Sequence, residues 1–105
     1  MEVPNSFLAK CFASFKHIKI MDFEGAHIDY IPKEVGNLFH LRYLSLRDTK
    51  VHILPKSIGK LHNLETLDLK RSFVSELPTE ISGLHNLRYL VAFTENYDNE
   101  FAIHF

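Results

Sequence analysis

The sequence predicts an α/β repeat solenoid, with short parallel strands on a concave face, short helical turns or loops on the convex face, and an N-terminal helix ahead of them. Pro32, Pro55 and Pro78 are spaced 23 residues apart, as are Phe15, Leu38, Leu61 and Leu84, without a slip in register. Leu38 to Pro55 can be laid over Leu61 to Pro78 with apolar residues falling in the same columns. Self-similarity at a fixed period means one supersecondary unit repeated, and a unit this small buries its apolar side only when neighbours stack on it.

The elements follow in chain order. Residues 1–14 read as a helical lead-in or cap: Leu8, Cys11, Phe12 and Phe15 fall at i, i+3, i+4 and i+7, and Asn5 or Ser6 can cap the helix after Pro4. Residues 15–93 make about three and a half turns, bounded 15–37, 38–60, 61–83 and a partial 84–93. In Leu44-Ser45-Leu46 and Leu67-Asp68-Leu69 apolar and polar residues alternate, so a strand places the leucines inside the coil and Ser45 and Asp68 outside. Beyond each strand, Thr49 and Ser72 can bond the backbone of the departing turn through a hydroxyl, which Ala26 in the same column cannot do. Turn one is therefore expected to be looser. Proline then opens a helical turn at its first position, and Gly36 and Gly59 bend the chain back, with Gly83 one place late and a slightly altered bend expected there. Residues 94–105 form a tail in which Phe101 to Phe105 alternate like the start of a further, truncated repeat.

These columns spell L-x-x-L-x-L-x-x-N/C/T-x-L, the pattern of leucine-rich repeats in the 23-residue class. Composition agrees: 46% hydrophobic and 24% charged residues with a net charge of -1 exclude a disordered tail and a bulk-charge grip on nucleic acid. The single cysteine, Cys11, cannot form an internal disulfide, which favours a reducing compartment. The apolar runs are far shorter than a membrane span needs, and the acidic start, broken by Lys10 and Lys16, is unlike a signal peptide.

Several stretches carry a further resemblance. Asp22-Phe23-Glu24-Gly25, Leu41-Arg42-Tyr43-Leu44-Ser45-Leu46-Arg47, Leu54-Pro55-Lys56-Ser57-Ile58-Gly59-Lys60-Leu61, Leu64-Glu65-Thr66-Leu67-Asp68-Leu69 and Leu84-His85-Asn86-Leu87-Arg88-Tyr89-Leu90 resemble the first repeats of plant disease-resistance proteins, the intracellular coiled-coil, nucleotide-binding, leucine-rich-repeat receptors. The resemblance runs from about Phe7 to the end. It implies a fragment of a cytoplasmic plant immune receptor whose repeats restrain a nucleotide-binding switch domain and help sense a pathogen effector or a guarded host protein. No G-x-x-x-x-G-K-[ST] phosphate loop is present, so nucleotide binding is not implied for this chain and no cofactor is expected.

The partner-binding candidates are concave-face residues: Tyr43, Ser45 and Arg47 in turn two, Thr66, Asp68, Lys70 and Arg71 in turn three, and Tyr89 and Phe93 in turn four. Tyr, Arg and Phe on a rigid concave surface are the usual anchors of protein interfaces. Arg47, beside Tyr43 across Ser45, is expected to offer a donor fork to an acidic partner. Sharper chemistry finds less support. His17 and His40, and His62 and His85, share columns but have no third ligand in register, so no metal site is expected. The helical apolar spacing of Cys11 makes it a core residue rather than a nucleophile, and no enzyme is expected. A stand-alone leucine-rich-repeat scaffold or adaptor of the Ras-associated type is the alternative reading, since it shares the Leu-Pro-x-x-Ile-Gly turn.

Overall fold

The computed structural model describes residues 3–93 and 100–104. Helix α1 (Asn5–Ser14) leads into one sheet ordered β1 (Ile20–Asp22), β2 (Tyr43–Ser45), β3 (Thr66–Leu69), β4 (Tyr89–Phe93) and β5 (Glu100–His104). β1 to β4 are parallel, and the register Ile20↔Tyr43↔Thr66↔Tyr89 advances by one repeat at each step. Between strands the chain returns through 3-10 turns at Lys33–Asn37, Lys56–Lys60 and Thr79–Gly83. This is a leucine-rich-repeat solenoid.

The apolar columns supply its core. Leu38, Leu41, Leu44, Leu46, Ile58, Leu61, Leu64 and Leu67 are fully buried. The backbone repeats with them, because the N–H at the start of each strand must find an acceptor on the previous turn. Lys19 O accepts from both Arg42 N and Tyr43 N at 2.8 and 3.1 Å, Arg42 O from Glu65 N and Thr66 N at 2.8 and 3.0 Å, and Glu65 O from Arg88 N and Tyr89 N at 2.9 and 3.0 Å. Two side chains add ties of the same span: Asn63 Nδ2 donates to Phe39 O at 2.8 Å and Asn86 Nδ2 to His62 O at 2.7 Å.

The turns leaving the strands follow the hydroxyl column. Thr49 Oγ1 donates to Leu46 O and Ser72 Oγ to Leu69 O, both at 2.8 Å, and each oxygen accepts the N–H two residues on. Where Ala26 stands instead, Ile28 N donates to the Ala26 carbonyl at 2.9 Å, a three-residue backbone turn replacing the missing hydroxyl.

Several details correct the sequence-based expectations. Proline precedes each 3-10 turn rather than opening it: Pro32, Pro55 and Pro78 have φ of -70, -68 and -65° with extended ψ, and their carbonyls accept from Val35, Ile58 and Ile81. Gly59 and Gly83 are needed for closeness, not for bending. A Cβ on Gly59 would lie 2.4 Å from the Glu80 carbonyl oxygen, and one on Gly83 would lie 2.5 Å from that of Gly59. The displaced glycine leaves the third 3-10 turn unaltered, with five residues like the other two.

At the N-terminal end α1 buries Leu8 and Phe12, and the Phe12 ring meets Phe23 edge-on at 6.1 Å. No side chain caps the helix; Pro4 occupies the cap and its carbonyl accepts from Phe7 and Leu8. Cys11 is only half-buried. Phe15 is 52% exposed although Ile18 N donates to its carbonyl as Leu41 N does to Leu38, so the backbone column persists there while, among the described residues, no repeat lies over the side chain. At the other end, Leu84, Leu87 and Leu90 are buried. Within the tail the described stretch Glu100–His104 is a strand, but β5 runs antiparallel to β4 with Leu90 opposite Ile103, and so does not continue the parallel register of a further repeat.

Candidate functional site

The strands bring three columns onto one face. The first, Ile20, Tyr43, Thr66 and Tyr89, is apolar to aromatic and open: Ile20 is 65% and Tyr89 40% exposed, with Tyr43 and Thr66 half-buried between them. Arg88 sets its guanidinium over the Tyr89 ring at 5.9 Å, so the ring keeps one apolar face and gains a cation on the other.

The second column, Asp22, Ser45, Asp68 and Val91, is more closed than alternation implies. Ser45 and Asp68 belong to the concave face by register, yet they are 0% and 5% exposed. Adjacent strands are separated by about 4.8 Å, and short side chains at that spacing are roofed by longer neighbours. Ser45 Oγ accepts from Arg47 N at 3.3 Å, and Asp68 Oδ1 from Lys70 N at 3.0 Å. Both are therefore structural rather than partner-facing.

In the third column, Glu24, Arg47 and Lys70, with Arg71 after it, the Arg47 fork expected to meet an acidic partner is engaged within the chain. Arg47 Nε donates to Asp68 Oδ2 at 2.9 Å and its Nη2 lies 2.7 Å from the same oxygen. That hydrogen bond holds the guanidinium charged, its pKa raised against the opposing effect of burial. Arg71 grips Asp48 across one repeat with both fork nitrogens, its Nη2 at 3.0 Å from Asp48 Oδ2, and holds that carboxyl below the usual carboxylate range. The nearly buried Asp68 carboxylate has to be compensated, and the long Arg47 diagonal to it is what the register offers. The Phe93 side chain lies outside the described residues.

Of the nine candidates, the sheet thus unites Tyr43, Thr66 and Tyr89 in one exposed column, engages Arg47 with Asp68, and directs Arg71 to the turn edge. Ile20, the most exposed member of that column, and Asp48, the partner of Arg71, were not among the candidates. The 23-residue offset between Asp48 and Arg71 is the signal by which the pair could have been found.

Four of the seven histidines pair across repeats, His17 with His40 and His62 with His85, with ring centroids 5.1 Å apart and the rings tilted by 39° and 44°. Among the described residues no three His, Cys, Asp or Glu side chains converge on a point where a metal ion could sit. No described helix is long and apolar enough to cross a membrane.

Residues 4–99 match the leucine-rich repeat region family. A leucine-rich-repeat protein of Leptospira interrogans superposes with a TM-score of 0.72 at 32% identity, covering 84% of this chain and 21% of that one. An internalin of Listeria monocytogenes gives a TM-score of 0.65 at 15% identity, covering 74% of this chain and 22% of its own, and so bears on the fold alone. No curated relative matches the chain. This chain thus spans about a fifth of the length of either structure. None of these matches is to a catalytic family, and the usual task of the repeat fold is protein–protein interaction. With nearly its whole length matched and its strands, 3-10 turns and core columns in place, the chain belongs to the leucine-rich repeat family.

Proposed function

We propose that the chain is a non-enzymatic recognition module of a plant intracellular immune receptor, docking a protein partner on its concave face in the cytoplasm. The observation that carries the docking is the exposed column Ile20, Tyr43, Thr66 and Tyr89 on consecutive strands of one rigid sheet. Aromatic side chains held by a rigid frame lose little entropy on binding, and truncation of such anchors typically costs about 2 kcal/mol or more. The words shared with plant disease-resistance receptors supply the finer reading: the partner is the receptor's nucleotide-binding switch domain, with a pathogen effector or guarded host protein as the signal that competes.

Pull-down with the nucleotide-binding half of a related plant receptor tests this. The chain should retain that half, Tyr43→Ala with Tyr89→Ala should lose it while staying folded, and a receptor carrying the double variant should signal without a pathogen. Failure of the wild-type chain to retain the switch domain would return the module to the scaffold reading, in which the same column serves a different protein.

A further inference from the structure

The two ends of the coil are finished differently. At the first, α1 packs on the first 3-10 turn, and Ile31 and Val35 are 1% and 0% exposed between that helix and the second turn. Their counterparts 23 residues on, Leu54 and Ile58, lie between the first and third turns and are equally closed. One repeat further, Leu77 is 37% exposed and Ile81 only half-buried. With Leu84 and Leu87 they line a groove of about 600 Å³ at this end. β5 lies along β4, so it completes the strand side of the end and leaves the side of the third 3-10 turn open.

The kind of element that fits there follows from one column. Each of the first two 3-10 turns receives the next through a glycine: a Cβ on Gly36 would lie 2.7 Å from the Ser57 Cβ, and one on Gly59 would run into the Glu80 carbonyl. The residue in that column of the third turn is Ser82, and it lines the groove. A further 3-10 turn stacked at the same spacing would meet the Ser82 Cβ. An α-helix packs with its axis about 8–10 Å from its neighbour, held off by its own side chains, and needs no glycine to receive it. A helix is also what closes the same end of the core at the first turn, through Leu8 and Phe12, four residues apart on one face and both buried.

We propose that this groove docks an amphipathic helix of a partner protein, two apolar side chains at i and i+4 seated on Leu77 and Ile81 in the way that Leu8 and Phe12 cover the first 3-10 turn. The site does not rest on the concave column, so the two surfaces can hold different partners at once.

The probe is a synthetic peptide with the sequence of residues 3–16, kept helical by a lactam bridge between Lys10 and the side chain introduced by Ser6→Glu, on the side away from Leu8 and Phe12. Titrated into the isotope-labelled full chain, it should bind saturably and shift the amide NMR signals of Leu77, Ile81 and Ser82. Leu77→Asp in the chain should weaken binding tenfold or more and keep the wild-type circular dichroism spectrum, since that side chain is already open to water. Leu8→Ala with Phe12→Ala in the peptide should weaken it as much without touching the fold of the chain, and Ser82→Gly should leave it unchanged. Absence of saturable binding, or binding indifferent to Leu77→Asp, would overturn the proposal. A peptide of residues 38–60 that binds more tightly than the helix, and more tightly still to the Ser82→Gly chain, would overturn it in favour of a stacked repeat. Self-association of the chain that Leu77→Asp abolishes, with no binding of the helical peptide, would overturn it in favour of a second copy.

Discussion

Removing Arg47 should destabilise the fold although it lies on the face assigned to partners. Its guanidinium is the only described side-chain cation hydrogen-bonded to Asp68, whose side chain is 7% exposed, while the Arg47 side chain is itself 30% exposed. Deleting one member of a fully buried pair costs about 3–5 kcal/mol, because the other charge stays behind uncompensated. An exposed pair contributes about 0–1 kcal/mol. Asp68 sits near the first limit, but water can reach the space that Arg47 vacates and the Lys70 N–H remains as a donor. We therefore expect Arg47→Ala to cost about 2 kcal/mol, a loss of roughly 30-fold in the folding constant. Urea denaturation reads it directly, with Arg42→Ala as reference, since the Arg42–Glu65 pair is open at 3.9 Å with side chains 61% and 42% exposed. Adding Asp68→Asn should recover part of the loss, as the neutral amide oxygen can still accept the Lys70 N–H without leaving a charge unpaired. The reasoning is refuted if Arg47→Ala and Arg42→Ala have the same midpoint, or if Asp68→Asn lowers stability further in the Arg47→Ala background.

Other perturbations test the frame. Leu67→Ala should cost about 2–5 kcal/mol and Thr66→Ala within about 0.5 kcal/mol, because Leu67 is fully buried and Thr66 half-buried on the open column; equal midpoints would mean a register error of one residue. Gly59→Ala should cost about 1–3 kcal/mol, since its methyl meets the Glu80 backbone at 2.4 Å and the repeats must part; an unchanged melting temperature would show that the turns are not stacked so closely. Ala26→Ser should give turn one the hydroxyl that turns two and three have, raising stability by about 0.5–1 kcal/mol in thermal melts, with no gain counting against the role given to that column. Asp48 is held below its ordinary pKa first by the hydrogen bonds from Arg71, so its contribution is complete above the unfolded carboxylate value of about 3.9 and is lost as pH falls through the folded value. Asp48→Asn should accordingly flatten acid unfolding in that range, more at low salt than at high.

Spacing exposed the parts of this fold that depend on burial. A column of leucines at one offset can be buried only if the turns stack, and stacking fixes strand register, so Leu44, Leu67 and Leu90 fall opposite one another as their positions imply. Features that depend on what lies over a residue were not legible in the same way. Alternation places Ser45 and Asp68 on the concave face but is silent on how far longer neighbours roof them, and Phe15 shows the converse, a column position that the end of the stack leaves open. The β5 direction was equally hidden, because alternation has the same period in a parallel and an antiparallel strand.

The turn that closes each strand shows how these local matters reach the site. Gly25, Asp48 and Arg71 share one column and one left-handed conformation, with φ of 73, 58 and 55°. Glycine adopts it freely, and aspartate is among the side chains that tolerate it, whereas for arginine it costs about 1–2 kcal/mol. The fork from Arg71 to Asp48, available because each residue occupies the equivalent place in consecutive turns, offsets only part of that cost, since both side chains are open to solvent. On the strand side of the same turns Arg47 reaches Asp68, so turns two and three are tied by two ion pairs in opposite senses, one running from arginine to the following repeat and one to the preceding. The charges on this part of the concave face are thus spent on each other. They hold the sheet in the register that keeps Tyr43, Thr66 and Tyr89 aligned, and the docking proposed above is left to that aligned column.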